Sequence, residues 1–464
     1  MSAILYLILL LCALLPLPYL AAGMLPLWML QTAMVSEDPA LMHAGPIDLM
    51  PTDFMLALVL ARTAFDVLLR RELRIDRPFF AALGFYVAVM ALASLVASVE
   101  FGMACLTHAV TALARLCSEM FLALALAHSI ATPAQARRCL GIVAVTLTTL
   151  AIIQFVNYVG APRGFIIGEV QGIERGELRF FGPVGDSIGS VLLLGYAVAL
   201  CRARLAGAAL ALGGILLTAG VGAMLSASAA TVLFLLFAAR SIAVREFLEK
   251  NLRVLPVLGI VCIVAALCAA QPVARMLRER AGSGSYANSG AQRVANATLA
   301  FAMIERHPVF GVGFMGYQAA LASVGGAKYF DVTKRDGGTA NANNQILQTL
   351  CDGGLAGFLA FLAVIAVAVR LCWRIAARSE DRFVQAFYLG ALVWLIAEFF
   401  GNQGAVWLIP SSYVARLIWV IAGVGAALER FQEEDLSGSD GDCARLNECA
   451  KHFRIKSSPA RLPA

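Results

Sequence analysis

Charged residues are scarce in this chain. They make up 14% of its 464 residues, whereas soluble domains carry roughly a quarter, so an ordinary soluble protein is excluded. Apolar residues reach 60%, and stretches of about twenty of them recur along the whole length, which is typical of membrane-spanning helices. We therefore predict an all-α polytopic membrane protein.

The N-terminus lacks the marks of a cleaved signal peptide. The first apolar stretch, residues 3–23, has no basic segment before it and no small-residue cleavage site followed by polar sequence. We predict that it is retained as the first membrane span.

A clustered set of metal ligands is also missing. Most of the 11 cysteines fall inside apolar stretches, where cysteine acts as a small apolar residue. Cys443, Cys449 and His452 give three possible ligands, whereas a structural zinc site needs four. We expect neither a metal nor another cofactor.

The apolar stretches divide into twelve candidate spans, with these approximate bounds: 3–22, 51–69, 78–97, 106–129, 139–158, 184–201, 206–224, 226–243, 254–270, 353–372, 383–401 and 413–429. The even-numbered connections, such as 70–77 and 201–204, are rich in arginine, while the short connections 23–50 and 98–105 contain neither lysine nor arginine. The positive-inside rule therefore places both termini in the cytoplasm.

This topology predicts a membrane domain over residues 1–430 with two long segments outside, 159–183 and 271–352. The second carries eight basic residues, but long loops cross a membrane largely regardless of charge. The polar residues 431–464 are predicted to form a disordered cytoplasmic tail.

In the first outer segment, Arg175 and Arg179 precede a Gly-Pro turn and Asp186 opens the next span. A lone arginine at a membrane surface commonly extends to the lipid headgroups. The turn also allows a second interpretation, in which Arg179 and Asp186 are held over the mouth of the helix bundle.

In the second outer segment, apolar residues recur at helical spacing over 291–304, with Arg293 near the helix start. His307-Pro308 then ends the helix, and Gly311 and Gly313 predict a tight turn. The letters G-x-G-x-x-G appear here, but no strand precedes them, so we reject a dinucleotide-binding fingerprint. The amide-rich run GGTANANNQILQTL, residues 337–350, enters the following helix, and Gly353-Gly354 is predicted to start the next span.

The series R…HPVFGVGF…NNQILQTL…GGLAGFLAFL resembles the signature of the O-antigen ligase and Wzy-type polymerase family, and RFFGPVGDSIGS resembles its earlier outer-face motif. Together these motifs cover roughly residues 165–365. The resemblance implies a glycan transferase on the outer face of the bacterial inner membrane. Its implied partners are an undecaprenyl-pyrophosphate-linked oligosaccharide, membrane lipid and other polysaccharide assembly proteins, with no nucleic acid.

Transfer from such a carrier builds negative charge on the departing pyrophosphate, which arginine binds with paired donors. We predict Arg179 and Arg293 as the main pyrophosphate contacts, with Arg175 as a further one. Arg278, Arg280 and Arg335 are weaker candidates.

The acceptor hydroxyl must lose a proton. The family's ligases carry a histidine at the position of Asn343, which is followed by Asn344. Asparagine cannot accept the proton and can only orient a hydroxyl or sugar, as can Gln348. His307 is a candidate base, with Asp186 and Asp352 as the nearest carboxylates; alternatively, His307 only ends its helix.

Two pairs of charges inside predicted spans, Arg62 with Asp66 and Arg115 with Glu119, are spaced i, i+4 and could each pair on one helix face. They could serve function or join spans.

Three functions remain open. The leading one is a polymerase of lipid-linked repeat units. The second is a ligase that transfers finished chains to a lipid A core. The third is a transporter of lipid-linked glycans, for which we would expect charges along a central path and a small outer loop.

Overall fold

The computed structural model describes residues 2–34, 42–44, 47–70, 73, 77–172, 178–183, 187–218, 221–251, 284–325, 341–401 and 412–433. Helices dominate this part of the chain. They are α1 (Ser2–Ala13), α2 (Leu17–Met34), α3 (Pro51–Arg70), α4 (Arg77–Ser129), α5 (Pro133–Gly160), α6 (Ile188–Cys201), α7 (Leu205–Leu217), α8 (Val221–Phe237), α9 (Ile242–Asn251), α10 (Gly284–Arg306), α11 (Tyr317–Ala320), α12 (Gln345–Arg378), α13 (Arg382–Gly401) and α14 (413–433).

Five helical segments in the described residues are long and apolar enough to cross a membrane: Pro78–Met103, Cys105–Ser129, Pro133–Arg163, Gln345–Arg378 and Arg382–Phe400. Ile188–Cys201, Leu205–Leu217 and Gly222–Phe237 are shorter apolar helices. The helical membrane architecture is thus as predicted, while the predicted span 254–270 lies outside the described residues.

The N-terminal stretch differs from its prediction. The single span expected over 3–22 is broken after Ala13, and α2 continues to Met34. Pro16 and Pro18 lie at the break, where proline lacks an N–H and clashes with the preceding turn. Arg62 of α3 stabilises the break, because its guanidinium donates to the Ala13 and Leu15 carbonyls at 3.2 and 2.9 Å.

Predicted spans 78–97 and 106–129 form two arms of the single element α4, joined at Gly102 with φ 80° and ψ 178°. The all-α prediction also missed two short antiparallel hairpins. Strand β1 (Met42–Ala44) pairs with β2 (Ile47–Leu49), and β3 (Glu169–Gly172) pairs with β4 (Leu178–Gly182).

The four charged residues considered for i, i+4 pairing make contacts with other elements. Asp66 lies 3.0 Å from the His128 ring of α4, and Arg115 lies 3.7 Å from Asp53 of α3. Each of these two contacts joins α3 to α4. They favour the interpretation in which the charged residues hold spans together.

The most deeply buried of these contacts joins α4 to α14. The guanidinium of Arg416 donates to a Glu119 carboxylate oxygen at 3.0 Å and lies 4.0 Å from the centre of the Trp28 ring. Both charged side chains are buried, and a buried ion pair of this kind is costly to break.

Candidate functional site

The site begins at the C-terminal end of α10, which contains the predicted helix at 291–304. The His307 N–H donates to the Met303 carbonyl at 2.9 Å, and the Gly311 N–H donates to the His307 carbonyl at 3.0 Å. Gly311 and Gly313 have φ values of 66° and 89°, which favour glycine. The predicted turn after His307-Pro308 is confirmed.

Helix α12 is interrupted where the sequence predicted a helix start. Gly354 has φ 59° and ψ −156°, so the helical ladder breaks around it. In an unbroken helix the N–H groups of Leu355 and Ala356 would donate to the carbonyls of Cys351 and Asp352, four residues earlier. Inside a membrane such groups need other partners.

The turn after α10 provides those partners, residue for residue. Two of its N–H groups replace the lost donors, and two of its carbonyls replace the lost acceptors. The four bonds are Val312 N–H to Cys351 O at 2.7 Å, Gly313 N–H to Asp352 O at 3.0 Å, Leu355 N–H to Pro308 O at 2.9 Å and Ala356 N–H to Val309 O at 3.1 Å. We call this assembly, residues 308–313 bonded to 351–356, the Gly354 junction.

The approach of the two backbones explains the glycines on both sides. A Cβ at Gly354 would lie 2.3 Å from the Val309 carbonyl carbon, and one at Gly311 would lie 2.2 Å from the Cys351 carbonyl oxygen. Any larger residue at either position would force the backbones apart.

The first arm of α4 holds the junction from the other side. The Phe314 N–H donates to the Ser94 hydroxyl at 3.0 Å, and that hydroxyl donates to the Met90 carbonyl at 2.8 Å. A Cβ at Gly313 would lie 3.1 Å from Ala97. The turn therefore lies between α4 and α12.

Asp352 connects the junction to the amide run. Its carboxylate is buried and accepts a hydrogen bond from the Gln348 side chain at 2.8 Å and one from the Met315 backbone. Met315 has φ 56°, a conformation that is strained for a residue other than glycine. The Gln348 side-chain oxygen accepts from the Ala342 N–H at 2.8 Å. Gln348, predicted to contact the glycan, has both ends of its amide engaged within the protein.

Asn344 starts α12. Its side chain accepts from the Leu347 N–H at 2.9 Å, which is the usual N-cap bond. Gln345 donates to the Thr349 hydroxyl at 3.0 Å one turn later. Much of the amide run therefore organises the helix start.

Asn343 differs from its neighbours. Its φ is 50°, and its N–H donates to the Asn341 side chain at 2.8 Å. The residue is half-buried, and within the described part of the chain no hydrogen bond engages its side chain. A polar side chain held in a strained conformation and left uncommitted is a candidate ligand contact.

His307 lies deeper in the fold. Its Nε2 is 3.7 Å from a Glu100 carboxylate oxygen, and its ring meets the edge of Phe101 at 5.7 Å between centroids. The carbonyl of Pro308, the next residue, accepts a hydrogen bond from the Leu355 N–H. The helix from Gln345 to Gly354 rises about 14 Å along its axis. His307 is thus at the level of the junction, well below Asn343.

The structure describes two of the three arginines that were predicted to contact the pyrophosphate. Arg293 is exposed on α10, and the helix from there to His307 rises about 20 Å. Arg179 lies in β4, where it is opposite Gln171 of β3. Arg175 and Asp186 lie outside the described residues.

A cluster of apolar side chains packs α10 against the junction. It contains Leu299, Ala300, Met303, Val312, Tyr317, Ala320, Leu321, Ala342 and Cys351. The Tyr317 hydroxyl donates to the Asn296 carbonyl at 2.8 Å. Burial raises the pKa of Tyr317, and the electrostatic effect of the neighbouring Cys351 raises it further. Residues 341–350, the turn and α10 therefore form one packed unit at the start of α12.

Sequence reasoning missed the junction itself and the role of Asp352 in it. One local signal was available, because Gln348 and Asp352 are spaced i, i+4, as hydrogen-bonded pairs on a helix are. In the part of the chain that the structure describes, no group of three or more His, Cys, Asp or Glu side chains could hold a metal ion.

A family model described as O-antigen ligase matches residues 206–362. The matched stretch contains Arg293, the Gly354 junction and the amide run, while β4 with Arg179 precedes it, so the match begins later than the predicted core at about 165. No curated protein matches the chain. Residues 206–362 thus resemble an O-antigen ligase domain, which supports the assignment of this chain to the O-antigen ligase and Wzy-type polymerase family.

Proposed function

We propose that this membrane enzyme polymerises undecaprenyl-pyrophosphate-linked oligosaccharide repeat units into exopolysaccharide or O-antigen. The proposal places the reaction at the periplasmic face of the bacterial inner membrane, above twelve spans, with both termini in the cytoplasm. The observation that supports the proposal lies inside the stretch that the O-antigen ligase model matches. There, beside α10, the hydrogen-bonded turn and the start of α12 hold Asn343 with φ 50°, and its side chain makes no hydrogen bond to the described residues.

In the proposed reaction, the bond between the anomeric carbon and the pyrophosphate oxygen breaks, and the acceptor hydroxyl oxygen bonds to that carbon. Negative charge develops on the departing pyrophosphate. Arg293, exposed on α10, and Arg179 would stabilise that charge, because guanidinium groups stay protonated and bind phosphate oxygens in pairs.

The hydroxyl proton would pass to water, because His307 lies about 20 Å along α10 from Arg293 and cannot reach a hydroxyl that attacks the same anomeric carbon. His307, whose Nε2 lies 3.7 Å from the Glu100 carboxylate, would instead help to fix the turn that ends α10. Asn343 would orient a sugar hydroxyl of the extended glycan, since an amide both donates and accepts hydrogen bonds. Asp352 and Gln348 would act by holding the amide run in place.

Polymerisation is favoured over ligation by Asn343, because the resemblance implies that the family's ligases carry a histidine at this position. Ligation to a lipid A core is the second candidate, and the description of the matching model as O-antigen ligase favours it. Lipid-linked glycan transport gains no specific support from the described residues.

The acceptor distinguishes the two enzymes. We expect the purified full-length protein, reconstituted in vesicles with lipid-linked repeat units alone, to produce a ladder of longer lipid-linked chains on a gel. Added lipid A core should not be needed. If glycan product formed only when lipid A core was present, the protein would be a ligase and the polymerase proposal would fail.

A further inference from the structure

A cleft of about 410 Å³ lies where α12 ends and α13 begins, at the opposite end of α12 from the amide run. Its lining combines the start of α5, the turn between α6 and α7, the start of α9 and the start of α13. The residues are Arg137, Arg202, Arg204, Ala243, Asp381, Arg382 and Phe383. Four guanidinium groups thus face one carboxylate, and we call this site the arginine cleft.

Two of the arginines are presented by a rigid turn. Ala203, between them, has φ 54°, and its N–H donates to the Leu200 carbonyl at 2.9 Å. The Arg204 N–H donates to the Ala199 carbonyl, also at 2.9 Å. Arg202 and Arg204 are therefore positioned by backbone hydrogen bonds before any ligand arrives.

The carboxylate in the cleft is already committed. One Asp381 oxygen accepts from the N–H groups of Phe383 and Val384 at 2.8 and 3.1 Å and so caps α13. The other accepts from Arg137 at 3.0 Å. Arg382, in turn, donates to Glu246 at 2.8 Å. The two carboxylates thus neutralise Arg137 and Arg382.

Arg202 and Arg204 have no counter-charge among the residues that the structure describes. Arg202 lies over the Phe383 ring, 4.5 Å from its centre, and no described carboxylate lies within ion-pair distance of Arg202 or Arg204. Burial lowers the pKa of Arg202, and so do the positive charges of Arg204 and Arg137. The cleft therefore concentrates positive charge that a bound anion would relieve.

We propose that the arginine cleft binds the phosphate group of an anionic ligand. Arginine holds phosphate oxygens through paired, charge-assisted hydrogen bonds, and basic pockets between membrane helices suit phospholipid headgroups. The cleft is formed by arginine-rich connections that the positive-inside rule assigns to the cytoplasm. A phospholipid headgroup and a soluble phosphate compound share this chemistry, and the site is separate from the proposed glycan chemistry.

Native mass spectrometry of the full-length protein tests the proposal. The delipidated protein is titrated in one arm with phosphatidylglycerol, with phosphatidylcholine as the zwitterionic comparison, and in the other with inorganic pyrophosphate. The test variant is Arg202→Gln with Arg204→Gln. The matched control is Arg245→Gln with Arg378→Gln, which removes two exposed charges that do not line the cleft.

We expect the test variant to bind at least tenfold more weakly than wild type and the control variant to bind as wild type does, since the test variant loses the charge-assisted hydrogen bonds of both arginines. Selective binding of phosphatidylglycerol assigns the cleft to a headgroup, and pyrophosphate binding that depends on the two arginines assigns it to a soluble anion. Equal binding of both variants in both arms would overturn the proposal. Arg204→Gln alone gives the same test if the double variant does not fold, because Arg204 is exposed.

Discussion

Replacement of Gly354 by alanine is expected to abolish polymer formation and to lower the thermal stability of the purified protein sharply. The new Cβ would lie 2.3 Å from the Val309 carbonyl carbon, and the backbone at φ 59° and ψ −156° is accessible essentially only to glycine. The turn would have to leave α12, and four backbone hydrogen bonds would be lost in a buried site. At about 1–3 kcal/mol for each unsatisfied group, the loss would exceed about 4 kcal/mol, which thermal unfolding in detergent would measure.

Gly353→Ala is the matched control. This neighbouring glycine has ordinary helical geometry, and its new Cβ would meet only Met90, with the sulfur at 2.9 Å and the terminal methyl at 3.0 Å. That side chain is flexible and can move, so we expect a loss of roughly 1 kcal/mol or less and continued polymer formation. Equal damage from both substitutions would show that the Gly354 junction is not what holds this region together.

The second large effect is expected at Asn343, where substitution by glycine separates the side chain from the backbone. Glycine adopts the observed φ of 50° without strain, so Asn343→Gly removes the amide and leaves the turn intact. We expect thermal stability to be unchanged while the rate of polymer formation falls about five- to tenfold, because one hydrogen bond to the glycan, about 1–1.5 kcal/mol, is lost.

Asn343→Ala provides the comparison. It removes the same amide but keeps a Cβ at the observed φ of 50°, a conformation that alanine tolerates less well than asparagine does. The alanine variant should therefore lose both stability and activity, and the glycine variant activity alone. Full activity in the glycine variant would mean that the amide run serves only to start α12.

Local sequence patterns predicted much of this fold. Apolar spacing over 291–304 predicted α10, and His307-Pro308 with two glycines predicted the turn, because helix periodicity and turn chemistry depend on neighbouring residues. The Gly354 junction was not predictable in this way. Gly353-Gly354 was interpreted as the start of a span, and nothing local shows that a turn some forty residues earlier completes its hydrogen bonds.

The same distinction explains the charged residues. An i, i+4 spacing suggested that Arg62 would pair with Asp66, yet Arg62 binds carbonyls at the break after α1 and Asp66 contacts His128. Spacing shows which side chains can meet on one helix and gives no information on partners from other helices. The break itself had a local signal in Pro16, which the apolar length of the stretch obscured.

The candidate site divides in a similar way. The N-cap role of Asn344 is a local property, since asparagine three residues before a helical N–H is favoured there. Whether Arg179 of β4 and Arg293 of α10 act on one pyrophosphate depends on long-range packing, and both stay predictions.

Formation of a glycosidic bond by the purified protein tests the central claim most directly. The full-length chain, in vesicles containing only lipid-linked repeat units, would be assayed for glycan chain length and for released carrier pyrophosphate, with Asn343→Gly beside it. We predict longer chains, one carrier pyrophosphate released for each bond formed, and a much lower yield from the variant. Movement of the lipid-linked unit across the bilayer without any new glycosidic bond would contradict the account.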